Sequence, residues 1–119
     1  MILSLKNDQF RHVYEKGRSR ADGCAVMIIC PNGLEINRLG ISVSKKNGNS
    51  VVRHRLKRIL KEAYRSIEGE LRTGYDIVLI ARNAAIPMKS TELAPVLRTL
   101  AGRFRNFVVS GNSSEGLSK

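Results

Sequence analysis

Carboxylates are scarce in this chain. Ten Asp and Glu stand against 21 Lys and Arg, with two histidines and two cysteines beside them. A hydrolase working through its own side chains needs paired carboxylates, a Ser/His/Asp set or a cluster of metal ligands. Here the acidic residues are scattered, and His12 and His54 fall in different basic segments. Glu62 and Asp76 are the only pair to weigh, and it is a poor one. Cys24 and Cys30 share one apolar run, CAVMIIC, that reads as a strand. Six strand residues hold them about 20 Å apart, whereas a disulfide needs Cα atoms within about 7 Å. Neither has Cys-x-x-Cys or Cys/His metal spacing, so both read as small buried thiols of a reducing compartment. No apolar run approaches the roughly 20 residues of a membrane span. The opening Met1-Ile2-Leu3-Ser4-Leu5-Lys6 lacks a basic stretch ahead of a long apolar one, so a secretory signal is not expected and a cytoplasmic protein is. The 42% hydrophobic and 26% charged residues exclude a disordered or collagen-like chain, and 119 residues hold one core.

What the chain does have is punctuated periodicity. Asn7 as cap, Asp8 in the first turn, Lys16 in the last and Gly17 as stop predict an opening helix. Phe10, Val13 and Tyr14 share one face of it. Strands are expected at about Cys24–Cys30, Leu39–Ser44 and Tyr75–Ala81. The turn chemistry of Pro31-Asn32-Gly33 predicts that the first two form a hairpin. Val52, Leu56, Ile59, Leu60, Ala63 and Ile67 fall within one stripe of roughly 100°, which predicts a helix from Val51 to about Ile67. A last helix is expected from about Glu92 to Phe107, its first turn near Pro95. The Ser- and Gly-rich stretch 110–119 reads as a tail, leaving 1–109 as the domain. The order helix, strands, helix, strand, helix predicts a single-domain α+β sandwich with helices packed on a sheet.

The net charge of +11 is unevenly placed. From Lys45 to Arg65 there are eight Lys and Arg against one carboxylate, Glu62, so this window holds +7 of it. Arg53, Arg55, Lys57, Arg58, Lys61 and Arg65 spread over roughly 100° to 300° around the helix, opposite its apolar stripe. Too few acidic neighbours are available to pair them along the helix. Like charges crowded on one face predict a polyanionic partner, and nucleic acid first. A basic amphipathic helix can also lie on an anionic membrane, but this apolar face is needed for the core. A DNA-reading helix-turn-helix places a short helix before the recognition helix, where this chain has a strand and a loop. The loop Ser44-Lys45-Lys46-Asn47-Gly48-Asn49-Ser50 offers Asn49 or Ser50 as a cap and a helix N-terminus suited to phosphate. It lacks the second glycine and following lysine of a nucleotide-binding loop.

The stretch from Ser44 to Arg58, SKKNGNSVVRHRLKR, resembles the signature of the bacterial ribonuclease P protein component: a Lys-rich entry, Gly-Asn-Ala-Val, Arg-Asn-Arg, then Lys-Arg. LKNDQFRHVYEKGRS is similar to that family's opening helix and GYDIVLIAR to its last strand, so the likeness covers about residues 5 to 105. The resemblance implies an α/β sandwich with about four strands and a left-handed crossover through the basic helix. It implies a tRNA-processing ribonucleoprotein, an endonuclease that removes the 5′ leader of precursor tRNA. Its catalytic centre, with Mg²⁺, belongs to the RNA subunit, and no catalytic residue is expected in this chain. The RNA-facing residues it implies are Lys45, Lys46, Asn49, Arg53, Arg55, Lys57, Arg58 and Arg65, with Lys61 on the same basic face. His54 replaces the middle asparagine of Arg-Asn-Arg and can still donate to phosphate or stack on a base. A cleft for the leader is implied at Phe10, Arg11 and Tyr14. The catalytic RNA and precursor tRNA are thus the implied partners, with neither membrane nor DNA. The other reading is a ribosomal or structural RNA-binding protein with no role in cleavage.

Overall fold

The central strands of the sheet sort their side chains between two unequal helical layers. The computed structural model describes residues 3–109. The expected tail at 110–119, and with it the boundary after residue 109, lies outside them. The elements run β1 (Leu3–Ser4), α1 (Asn7–Lys16), β2 (Arg18–Ala21), β3 (Ala25–Pro31), β4 (Arg38–Ser42), α2 (Ser50–Ile67), β5 (Tyr75–Ala81) and α3 (Ser90–Gly102). They form the predicted α+β sandwich around one mixed sheet, in the order β1-β4-β5-β3-β2. Four strands are four to seven residues long, and the two-residue β1 adds a parallel edge to β4.

The expected hairpin is not there. The Pro31-Asn32-Gly33 turn forms, with Gly33 at φ +73° and the Leu34 N–H donating to Asn32 Oδ1. However, β5 lies between β3 and β4, antiparallel to the first and parallel to the second. The 32–37 loop bridges the start of β5 and ties to it. Asn32 N–H donates to the Gly74 carbonyl, Asn37 Nδ2 to the Arg72 carbonyl, and Tyr75 N–H to Asn37 Oδ1. Turn chemistry reports that the chain reverses; it does not say which strand arrives next to it. The parallel neighbours β4 and β5 are joined through α2.

On one face of the sheet, α2 and α3 cover Met27, Ile29, Leu39, Ile77 and Leu79 with Leu56, Leu60, Ile67, Leu93, Leu97 and Leu100. Each large apolar side chain buried this way is worth about 1.5–3 kcal/mol. On the other face, α1 supplies Val13 to a smaller cluster of Leu5, Ile28, Cys30 and Val78, with Phe10 at its margin. Cys24 and Cys30 are both free thiols.

Three boundaries differ from expectation. Asn7 is the first residue of α1 rather than its cap; Lys6 holds the cap position, and its N–H donates to Gln9 Oε1 at 2.8 Å. Helix α3 starts at Ser90, so Pro95 sits inside it and removes one backbone donor beyond the first turn. The same helix stops at Gly102. The chain then turns back through Asn106, at φ +59°, and seats Phe104 and Phe107 in the core. Leu71 and Val108 form a β-bridge there.

Candidate nucleic-acid interface

Helix α2 begins where the sequence places it. Asn49 is the cap, its Oδ1 accepting the Val52 N–H at 3.0 Å. Before it, Lys45–Asn47 make one 3₁₀ turn that ends at Gly48, whose φ of +141° admits only glycine comfortably. Asn47 is buried and fastens this turn. Its Oδ1 accepts the Ser44 N–H at 3.0 Å, and its Nδ2 donates to Asn83 Oδ1 at 2.8 Å. Lys45 and Lys46 are thereby held exposed beside the helix start.

Along α2, His54, Lys57, Arg58, Lys61 and Arg65 are exposed, and Arg53 is half-buried. Three hollows follow one another beside this face. The first is bounded by Val43, Ser50, Arg53, His54 and Lys57. The second shares His54 and Lys57 and adds Ile41, Arg58 and Lys61. The third shares Ile41 and Lys61 and reaches Leu5, Phe10 and Gly40. Together they make a groove along α2 and β4, cationic on the helix wall and apolar at Ile41 on its floor. Arg53, Lys57 and Lys61 recur every four residues and so form its row. The Nε of Arg53 is buried with no hydrogen-bond partner, a state that ordinarily costs about 1–3 kcal/mol.

Arg55 does not join this row. Two residues from Arg53, it lies on the other flank of the helix, where its guanidinium donates to the Ile86 carbonyl at 2.6 Å and the Met88 carbonyl at 2.7 Å. Its guanidinium thus clamps the β5–α3 connection, and this residue, expected to face RNA, already has two of its three nitrogens engaged by the fold. Asn49 is likewise occupied, as the helix cap.

The expected cleft residues are only partly assembled. Phe10 closes one end of the groove by resting on β4: a Cβ on Gly40 would lie 2.4 Å from Phe10 Cζ. Tyr14 stacks on Phe10, ring centres 6.3 Å apart and planes 30° from parallel, and stands 48% exposed. Arg11 is exposed on the same helix. The part played by Gly40 and Ile41 was open to sequence reasoning, because a glycine within an alternating strand marks close approach of a neighbour.

The carboxylate pair weighed above is not a reacting pair. Asp76 is buried and accepts Arg38 Nε at 2.7 Å, Arg38 Nη2 at 2.8 Å and Asn32 Nδ2 at 3.0 Å. Glu62 is exposed on α2. Arg38–Asp76 and Arg98–Glu70 are the ion pairs among the described residues. Among the described residues, every cation of the groove is therefore without a carboxylate partner. Among the described residues no three His, Cys, Asp or Glu side chains cluster as metal ligands would, and no helix is long and apolar enough to cross a membrane.

Comparison with known proteins agrees with this fold. The family model described as Ribonuclease P matches residues 4–105. The chain is 50% identical over 102 residues to the ribonuclease P protein component of Lachnoclostridium phytofermentans, covering 85% of this chain and 88% of that one. It is 52% identical over 81 residues to that of Clostridium botulinum strain Langeland, covering 67% and 73%. Among solved structures it is similar to the RNase P protein of Staphylococcus aureus, with TM-score 0.77, 33% identity, and 90% and 98% of the two chains covered. It is also similar to that of Thermotoga maritima, with TM-score 0.77, 28% identity, and coverage of 86% and 97%.

Proposed function

This chain belongs to the ribonuclease P protein family, and from that premise we propose that it is the protein subunit of a ribonucleoprotein that cuts the 5′ leader from precursor tRNA in the cytoplasm. The observation that carries the reading is the cationic groove of α2, which has charge but no carboxylate to spend it on. Lys45, Lys46, Arg53, His54, Lys57, Arg58, Lys61 and Arg65 take the phosphates of the catalytic RNA. Arg53 lines the first hollow beside His54 and Lys57, so its guanidinium stands with theirs toward the RNA. The apolar floor at Ile41 accommodates a sugar or base face beside those phosphates.

At the Phe10 end, the stacked Phe10–Tyr14 pair with Arg11 receives the unpaired leader. Base stacking on an exposed aromatic is worth about 1–3 kcal/mol. Tyr14 does most of this, because Phe10 is already engaged with Gly40. Lys61 belongs both to the basic row and to the Phe10 hollow, so leader and catalytic RNA approach one another across it.

The subunit's contribution to cleavage is electrostatic. Two RNA strands brought close repel, and fixed cations between them lower that cost and the Mg²⁺ concentration needed to do the same. Among the described residues no donor set gathers for a resident metal, so in this reading Mg²⁺ is held by the RNA.

The test is cleavage of precursor tRNA at low Mg²⁺ by protein alone, catalytic RNA alone, and both. Cleavage is expected only from the mixture. Cleavage by protein alone, or no stimulation of the RNA, overturns the reading.

A further inference from the structure

Outside α2 and its entry loop, cations gather at a second place, the free edge of β2. This strand ends the sheet, and all four of its residues are exposed. Arg20 lies on it, Arg82 follows β5 and Arg103 follows α3; all three are exposed. Each is fastened to a backbone carbonyl at this corner. Arg20 Nη1 donates to Ser19 at 2.7 Å, Arg82 Nη1 to Asp22 at 2.7 Å, and Arg103 Nη1 to Ala21 at 3.0 Å. Arg20 also lies over the Phe104 ring, 5.3 Å from its centre. The Asp22 carboxylate is committed to the turn, accepting the Cys24 and Ala25 N–H groups at 2.7 and 3.0 Å.

A carbonyl orients a guanidinium without neutralising it. Each of these bonds uses one nitrogen of a group that carries five N–H donors, so donors remain to meet a phosphate in the planar, forked manner arginine favours. The plain alternative is that charge on an edge strand merely blocks sheet extension. That purpose needs charge alone; it does not need three arginines from three elements fixed to consecutive or near-consecutive carbonyls. Fixing them removes part of the side-chain entropy that binding would otherwise cost.

The sheet face identifies the partner. Arg20 pairs across the ladder with Met27, which lies in the α2/α3 layer, and cross-strand pairs share a face. Arg103 is the C-cap of α3. The patch therefore belongs to the same layer as α2, on the other side of the sheet from Phe10 and Tyr14. The described residues span 45 × 30 × 24 Å, within the reach of one folded RNA. We propose that Arg20, Arg82 and Arg103 form a second phosphate-binding surface for the catalytic RNA, which thus grips the protein both at α2 and at the β2 edge. This rests on the RNA-subunit reading above.

The test measures affinity of the full chain for catalytic RNA, without substrate, as a function of salt. Each lost phosphate contact lowers the slope of log K against log salt by about 0.7–0.9. The triple variant Arg20→Gln/Arg82→Gln/Arg103→Gln is expected to lower it by about 2–3, and the triple Lys variant to keep most of it. Arg20→Gln alone removes no hydrogen bond between elements, only the contact with the Phe104 ring, so it keeps the fold, and it is expected to lower the slope by just under 1. An unchanged slope in both Gln variants overturns the proposal. If Lys57→Ala/Arg58→Ala/Lys61→Ala still lowers the slope, the subunit reading survives that result; if it does not, both fail. A fall in holoenzyme affinity for precursor tRNA with unchanged affinity for catalytic RNA would assign the surface to substrate, and overturn the proposal as well.

Discussion

The two flanks of α2 carry the same kind of side chain toward different ends. On the groove flank, half-buried Arg53 and exposed Lys57 and Lys61 line hollows that hold Val43 and Ile41 but no carboxylate. On the other flank, Arg55 spends its guanidinium on the Ile86 and Met88 carbonyls. The difference teaches how to sort cations on a basic helix. One that is half-buried and spends two of its nitrogens on carbonyls of its own chain is part of the architecture, whatever its charge. One that lacks any partner is available to a polyanion. Position on the helix decides which: Arg55 stands on the side where α3 and its leading loop arrive.

The sharpest break of this contrast exchanges the two outcomes. Arg55→Ala strands two carbonyls and cuts the loop free, and hydrogen bonds to a charged donor are worth about 1.5–3 kcal/mol each. A stability loss of about 2–4 kcal/mol is expected from urea unfolding, with little change in the salt slope of RNA binding. Lys57→Ala should do the reverse: stability within about 0.5 kcal/mol of the parent, and a slope lowered by just under 1. A large slope change in Arg55→Ala would return that residue to the RNA surface.

The groove flank itself depends on Gly40. A methyl there meets Phe10 Cζ at 2.4 Å and Cε1 at 2.6 Å, and overpacking of this kind costs about 1–3 kcal/mol. Gly40→Ala is expected to lower stability by that amount and to move the Phe10 ring. The move is visible as altered NMR shifts of Phe10 and Tyr14 with those of α3 unchanged. On the loop that precedes the groove, Asn47→Ala leaves the Ser44 N–H and Asn83 side chain unpaired. It should cost about 1–2 kcal/mol and speed amide exchange at Lys45 and Lys46.

Much of this was legible in the residues themselves, and the failures have physical causes. Helix α2 was plain because six apolar positions repeat at helical spacing and Asn49 caps it, both local facts. The charge concentration was a matter of counting. Strand β2 escaped notice because Arg18-Ser19-Arg20-Ala21 offers no apolar alternation; an edge strand exposed on all sides has nothing to bury, and so no period. The false hairpin arose because Pro31-Asn32-Gly33 is local, while the insertion of β5 between β3 and β4 is decided by residues more than forty positions away. Arg55 could be placed at an angle on α2, but the carbonyls it meets come from a loop whose path no nearby residue encodes. Local chemistry was readable; the partners brought together by topology were not.

Arg98 gives the comparison its third case, a cation paired with a carboxylate. Its Nε and Nη2 meet Glu70 Oε1 and Oε2 at 2.9 and 3.0 Å, joining α3 to the turn after α2. Hydrogen bonding from Arg98 holds the Glu70 carboxyl below its ordinary 4.5. Both side chains are over 40% exposed, so the pair is worth only about 0.2–1 kcal/mol. The sign follows from linkage: a carboxyl whose folded pKa is depressed stabilises fully above its unfolded value and loses that as pH falls through the folded one. Glu70→Gln should therefore unfold slightly earlier than the parent at pH 7, and the gap should close below about pH 4.5. Added salt should narrow the same gap at neutral pH. The RNA salt slope should not move, since a cation already matched to a carboxylate has least to offer a phosphate; if it does move, pairing within the protein is not what separates structural cations from binding ones.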